Sequence, residues 1–306
     1  MAISNLKFHF PVGLKNNYNH SYMADITGKE AALFVLTGTM GNFLAIISSC
    51  GRGEEVIVGH SSHLGNFEQG NIAQFGAIPF RTIPTQKNGT LSIDDILKYG
   101  YFSNDDFHMS QTKVVCVENT HNYLGGIPLD LDYLKQLYQA GQEHGFGIHT
   151  DGARLVNASI STGLSLQEIC QYSDSVSMCF TKGLGCPFGA ILVGRRELIE
   201  KARRYRKAIG GQWRQGGIAA AACLHSIKDT RPIEIDHQMA KKWANGIKNR
   251  CENISVDTPQ SNIVLLHCKS ASIATQIVEK METGPLKGFE ADFFRFLGDF
   301  VDHISV

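Results

Sequence analysis

Between residues 113 and 118 the chain reads Lys113-Val114-Val115-Cys116-Val117-Glu118, an unbroken apolar run with no polar position inside it. A strand with one wet face would alternate, so a continuous run suits a strand covered on both faces, the condition of a parallel sheet. The run closes in the polar loop Glu118-Asn119-Thr120-His121-Asn122. Asp130 can then cap a helix that carries Leu131, Leu134, Leu137 and Tyr138 on one face and stops at Gly145, and a further strand follows over residues 147–150. This rhythm predicts a mainly parallel, doubly wound sheet with helices on both sides and ligands at the C-terminal ends of the strands.

Other segments fit the same scheme. Residues 31–50 hold no charged residue, a length that permits a membrane span. Thr37-Gly38-Thr39-Met40-Gly41-Asn42 puts turn chemistry at the centre of that run, however, so it reads as a strand over 32–36, a turn, and a buried helix over 40–49. The N–H groups at such a helix start, with its dipole, form a cup for an anion. A strand over 55–59 leads into His60-Ser61-Ser62-His63, and another is expected over 76–83. Asn88-Gly89 marks a turn, Ser92 precedes a helix over 93–99, and residues 100–110 read as a surface loop. Residues 175–180 and 190–194 are both β-prone and too close for a parallel crossover, so they should pair antiparallel.

The turn between those two runs holds Lys182 at a strand end among small and apolar residues. Desolvation there would lower the pKa of the amine and suit it to form a Schiff base with an aldehyde. Upstream, the strand Ile148-His149-Thr150 ends at Asp151. An aspartate at one strand end followed by a lysine at the next is the arrangement of pyridoxal phosphate enzymes, where the carboxylate keeps the pyridine nitrogen protonated.

Composition removes several alternatives. Lys+Arg and Asp+Glu number 29 each, so charge gives no reason to expect nucleic acid or an anionic membrane as partner. The basic run from Arg195 to Lys207 is interleaved with Glu197 and Glu200, as on a solvated helix with an interface face. The 8 cysteines form no C-x-x-C pair and several sit in apolar runs, which fits reduced thiols in a cytoplasmic protein. Residues 1–10 carry no signal-peptide pattern.

Taken together, His149-Thr150-Asp151-Gly152-Ala153-Arg154, Thr181-Lys182-Gly183-Leu184-Gly185 and Thr37-Gly38-Thr39-Met40-Gly41-Asn42 resemble the motifs of the low-specificity L-threonine aldolases, from Gly28 to Ile227. The resemblance implies an α/β protein of the aspartate-aminotransferase-like class (fold type I), with a seven-stranded, mainly parallel sheet and a small C-terminal α/β domain. It implies pyridoxal 5'-phosphate attached to Lys182, with Asp151 at the ring nitrogen, His63 stacked on the ring and Arg154 at the ring hydroxyl. Gly38 and Thr39 would hold the phosphate, and His121, or a water it holds, would receive the β-hydroxyl proton. Lys207 and Arg214 would reach the phosphate of a neighbouring subunit in a homodimer or homotetramer, and no metal is expected. The implied reaction is retro-aldol cleavage of L-threonine or L-allo-threonine to glycine and an aldehyde. Alternatives on the same core are a cofactor-binding paralogue of low activity, β-elimination, or racemisation.

The ends depart from that pattern. Residues 1–24 are polar, with Asn16-Asn17-Tyr18-Asn19-His20 reading as loop, and they lack the family's Arg-Ser-Asp-Thr-like segment. A large domain over 25–234 and a small one over 235–306 are expected, with a helix from Ile235 to Arg250 and a strand over 262–267. The family's arginine for the substrate carboxylate has no clear counterpart, Arg295 being the one arginine after Arg250. The expectation is therefore cofactor binding with weak threonine cleavage.

Overall fold

Seven short apolar runs form the central sheet of the computed structural model, which describes residues 14–103, 105–248, 252–283 and 294–296. They are β1 (Ala31–Val35), β2 (Glu54–Gly59), β3 (Phe80–Ile83), β4 (Gln111–Glu118), β5 (Gly147–Asp151), β6 (Ser175–Cys179) and β7 (Ala190–Gly194). Their order is β1-β7-β6-β5-β4-β2-β3. Neighbours from β6 to β3 are parallel, and β7 runs antiparallel to both β6 and β1. The Ser175↔Gly194 register of β6 and β7 is the hairpin-like pairing that their short connection requires.

Helices cover both faces: α1 (Leu14–Thr27), α2 (Gly38–Ser49), the short α3 (His63–Asn66) and α4 (Asn71–Gly76), α5 (Ile93–Tyr99), α6 (Leu131–His144), α7 (Leu155–Thr162), α8 (Leu166–Cys170), α9 (Arg196–Ala208) and α10 (Gly217–Ser226). Successive strand residues feed opposite cores, which is why β2 and β4 read as unbroken apolar runs. Ile57, Val115, Val117 and Ile148 pack with α1, α6, α7 and α10; Val56, Val58, Val114 and Cys116 pack with α2 and α9. Each fully buried aliphatic side chain contributes roughly 1.5–3 kcal/mol. No described helix is long and apolar enough to cross a membrane, and the uncharged run 31–50 divides into β1 and α2.

Two segments differ from the sequence expectation. Asn16 to His20 lie inside α1 and are not loop. No apolar stripe marks that helix; tertiary contacts hold it, through Met23, Ala24 and Thr27 in the core and His20 Nε2, which accepts the Phe34 N–H at 3.0 Å. Arg206 donates to the carbonyl of the same Phe34. The outer edge of β1 is thereby satisfied by side chains at the place where an edge strand otherwise exposes unpaired groups. The strand expected over 76–83 begins only at Phe80, because α4 runs to Gly76 and its cap Ala77 is left-handed (φ 54°); the ladder with β2 opens where the Val56 N–H donates to the Pro79 carbonyl.

After α10 comes α11 (Arg231–Ile247), which starts with Pro232 in its first turn, so the boundary expected at residue 235 falls within a helix. A second sheet follows, β8 (Ile254–Val256), β9 (Val264–Cys268) and β10 (Phe294–Phe296), in the order β10-β9-β8, with α12 (Ala271–Thr283) between β9 and β10. Arg295 stands on β10 opposite Leu265. The small sheet is tied to the large one where Ser261 donates to the Gly126 carbonyl (2.7 Å) and Asn157 donates to Asn262 (3.0 Å).

Candidate active site

The strand ends that the sequence singled out meet in one open cleft of about 210 Å³. Asp151 closes β5 and stands in register with Glu118, which closes β4. Lys182 follows β6, His63 opens α3 just beyond β2, and Thr37 to Thr39 lie between β1 and the first turn of α2; all of them line the cleft.

The helix start is built for close approach. Thr37 caps α2 by accepting the Met40 N–H, and its carbonyl takes that of Gly41, so the N–H groups of Gly38 and Thr39 remain outside the bonding of the helix. A Cβ on Gly38 would lie 2.6 Å from Cys179 Sγ, and one on Gly41 would collide with Ser177 Oγ. Glycine at both positions lets α2 lie directly against β6, which brings the positive end of the helix to the cleft.

Three buried carboxyl groups face this end of the sheet. Glu118 accepts the backbone N–H of His63 and of Asn122, both at 2.8 Å. Burial and the nearby Asp151 nevertheless push its pKa up to about 7. Glu68 is buried as well and is raised by desolvation, against the bond from His63 Nδ1 at 3.1 Å. Burial opposes charge on His63, yet the bond to Glu68 and the charges of Asp151 and Glu118 raise its pKa overall. Asp151 accepts the Ala153 N–H at 3.1 Å and the Asn42 side-chain N–H at 2.9 Å. The same Asn42 amide donates to Glu68 at 2.8 Å, while its oxygen lies 3.0 Å from His149 Nε2. His63, Glu68 and Asp151 bring ligand-type atoms within 4.8 Å of one another, as a metal site would. The Asn42 N–H groups already supply a positive pole to both carboxylates there.

Of the residues expected at the site, Gly38, Thr39, His63, Asp151, Arg154 and Lys182 line the cleft. Lys182 is exposed at its mouth, where the sequence led us to expect an apolar setting. Arg154 reaches across to Asn122 Oδ1 at 2.8 Å. His121 departs from expectation: it is 2 % exposed and lies behind the wall, its N–H bonded to the Ile127 carbonyl and its Cβ against the turn at Gly89, while Thr120 and Asn122 on either side line the cleft. Lys207 and Arg214 are exposed and are not part of this cleft. Sequence reasoning missed Asn42, Glu68 and the buried Glu118. Asn42 and Glu118 stood in quoted motifs but with no role; Glu68 sits in a short polar segment that gave no sign of burial.

A cleft that offers an amine at a strand end, a carboxylate on the next strand, a helix start and an imidazole suits a phosphorylated aldehyde with a basic ring. The comparisons agree in kind. A family model described as beta-eliminating lyase matches residues 16–271. The low specificity L-threonine aldolase of Escherichia coli (strain K12) is 41% identical over 233 residues, 76% of this chain and 68% of that one. An uncharacterized protein of Caenorhabditis elegans is 40% identical over 263 residues, 84% of this chain and 63% of the other. The chain thus spans 63% and 68% of the lengths of these two relatives. A solved structure of a putative L-allo-threonine aldolase from Listeria monocytogenes superposes with a TM-score of 0.76 at 23% identity, over 99% of this chain and 82% of that one, a likeness of fold.

Proposed function

The chain belongs to the beta-eliminating lyase family, and on that premise we propose that it is a pyridoxal-phosphate-dependent lyase that cleaves L-threonine or L-allo-threonine to glycine and an aldehyde. The observation that carries the proposal is the convergence of Asp151, Lys182, His63 and the α2 start on one cleft. The residues present fit the cofactor. The N–H groups of Gly38 and Thr39, outside the bonding of α2, and the α2 dipole suit its phosphate, Lys182 Nζ its aldehyde, Asp151 its ring nitrogen, and Arg154 its ring hydroxyl. Glu68 Oε2 and Thr120 Oγ1 are buried in the same wall with no partner among the described residues, as expected where a polar ligand or its water completes the bonding.

When bound, pyridoxal phosphate supplies an electron sink for the carbanion left as the Cα–Cβ bond breaks. The chain's own residues do the rest. Lys182 Nζ would be the point at which the cofactor's aldehyde carbon is attached. Asp151 holds a proton at the ring nitrogen. His63 fixes the ring plane, which decides which Cα bond breaks. His121 sits behind the wall, so we assign the proton at the β-hydroxyl oxygen to it by way of a water.

We further assign Lys207 and Arg214 to the phosphate of a second copy of the chain. In support, both are exposed away from their own cleft. Phe188, Ile209 and Ile218 expose apolar surface in the same segment, with Phe188 and Trp213 as a ring pair at 5.1 Å. Sedimentation of the cofactor-loaded protein as a monomer, with full cofactor affinity, would remove this part of the proposal.

The activity is tested by incubating the purified protein and pyridoxal phosphate with L-threonine. Glycine and acetaldehyde in equal amounts are expected. Ammonia with 2-oxobutanoate, or no product, would contradict the assigned reaction.

A further inference from the structure

A line of hydrogen bonds runs from the start of β6 to the cleft, and none of the roles above uses it. Ser175 Oγ lies 2.9 Å from His149 Nδ1, and His149 Nε2 lies 3.0 Å from Asn42 Oδ1. The other end of the Asn42 amide meets Asp151 Oδ2 at 2.9 Å and Glu68 Oε1 at 2.8 Å. Glu68 Oε1 in turn holds His63 Nδ1 at 3.1 Å. All of these groups except His63 are buried.

Chemistry fixes the orientation of every link. Two carboxylate oxygens can only accept, so they face the NH₂ of Asn42 and not its oxygen. The Asn42 oxygen can only accept, so His149 donates through Nε2–H. His149 Nδ1 is then bare and accepts the Ser175 hydroxyl. That requires a neutral imidazole, in keeping with burial lowering the His149 pKa to about 4. The amide therefore cannot turn over without putting its oxygen against two anions.

We propose that Asn42 is a positioning residue whose single carboxamide sets both the carboxylate that pairs with the ring nitrogen and, through Glu68, the imidazole that lies over the ring. The proposal rests on the pyridoxal-phosphate reading of the same cleft. Its physical content is the separation of two buried acids. Asp151 and Glu68 repel one another, and without a donor between them one would take up a proton. A protonated Asp151 could not hold the proton of the ring nitrogen. The Asn42 N–H groups remove that conflict without adding a charge, and Ser175 and His149 hold them in place. The other titratable groups facing this point are Glu118, His63 and the buried Cys116 and Cys179 thiols, with Arg154 and Lys182 across the cleft.

The test uses the cofactor-loaded protein. Wild type, Asn42→Ala and Ser175→Ala are each treated with borohydride and mapped, then titrated with pH while the absorption of the bound chromophore is followed. Attachment to Lys182 is expected in all three. A poorly held carboxylate weakens protonation of the ring nitrogen and leaves the ring less electron-poor, which makes the imine nitrogen on Lys182 more basic. The pH midpoint of the chromophore should therefore rise in Asn42→Ala by about one unit, the effect of losing one hydrogen bond to a charged group. Ser175→Ala should move it the same way by less. In Asn42→Ala, kcat should fall about tenfold with KM nearly constant. A purely structural role would lower the melting temperature and leave the midpoint where it is; unmoved midpoints in both variants would overturn the assignment. Should Asn42→Ala not fold, Ser175→Ala decides alone. A wild type that takes up no pyridoxal phosphate would overturn this proposal and the cofactor reading together, whereas a loaded wild type with unmoved variants overturns only the proposal.

Discussion

Asp151 owes its environment to three elements at once: its own strand, the Ala153 N–H and the Asn42 amide of α2. Asp151→Asn keeps the shape and removes the charge, so the protein should still bind pyridoxal phosphate while turnover of threonine falls at least about 10²-fold. Unchanged turnover would mean that the electron sink does not depend on this residue. Glu118 makes a separate prediction about pH. Its folded pKa is raised from 4.5 to about 7, so the folded state binds more protons than the unfolded one between those values. Its contribution to stability is therefore lost as pH rises through that window. Glu118→Gln cannot titrate, so the melting temperature of the variant relative to wild type should shift in the variant's favour between pH 5 and pH 7.5. A gap that is constant with pH would place the titration elsewhere.

At the level of elements, α1 and α2 differ in how far the sequence revealed them. α2 was legible because a glycine-threonine turn interrupts an uncharged run and an apolar helix follows; only its first residues were placed late, at Met40 and not Gly38. α1 was not legible, since its order comes from contacts with a distant strand and not from an internal period. His20 is the link that can be tested. Burial, with Arg203 and Arg206 nearby, lowers its pKa from 6.5 to about 4. The folded state thus resists protonating it, and the stability it contributes is lost as pH falls below 6.5. His20→Ala leaves the Phe34 N–H without its acceptor and should cost about 1–3 kcal/mol at neutral pH, with the penalty shrinking toward pH 4.5 as the unfolded wild type takes up a proton that the folded His20 does not. Thermal unfolding of both proteins across that range reads it directly; an equal loss at both ends would show that the bond to Phe34 is not the source. The Glu118 and His20 slopes oppose each other, so the wild-type curve alone hides both and only the paired variants separate them.

For the molecule as a whole, the alternation of apolar runs and helices made the parallel sheet legible, and the motifs at its strand ends made the cleft legible with Asp151, Lys182, His63 and Gly38 in it. What stayed out of reach was the buried polar layer beneath those residues. Asn42, Glu68 and His149 are brought together from three separate segments, and nothing local in sequence marks a glutamate as buried when the amide that holds it lies 26 residues away. His121 shows the converse: a motif position placed it at the site, and the packing of its loop against Gly89 and Ile127 sets it behind the wall. The small sheet was legible as a strand over 262–267, but its pairing with β10 joins distant stretches of chain. The strand-end pair Asp151 and Lys182 is assigned to hold the cofactor. Borohydride reduction of the pyridoxal-phosphate-loaded protein, followed by peptide mass mapping, tests it most directly. The reduced adduct should sit on the peptide containing Lys182, and Lys182→Ala should abolish it along with the yellow absorption of the loaded protein; an adduct on another lysine, or one that persists in Lys182→Ala, would contradict the account.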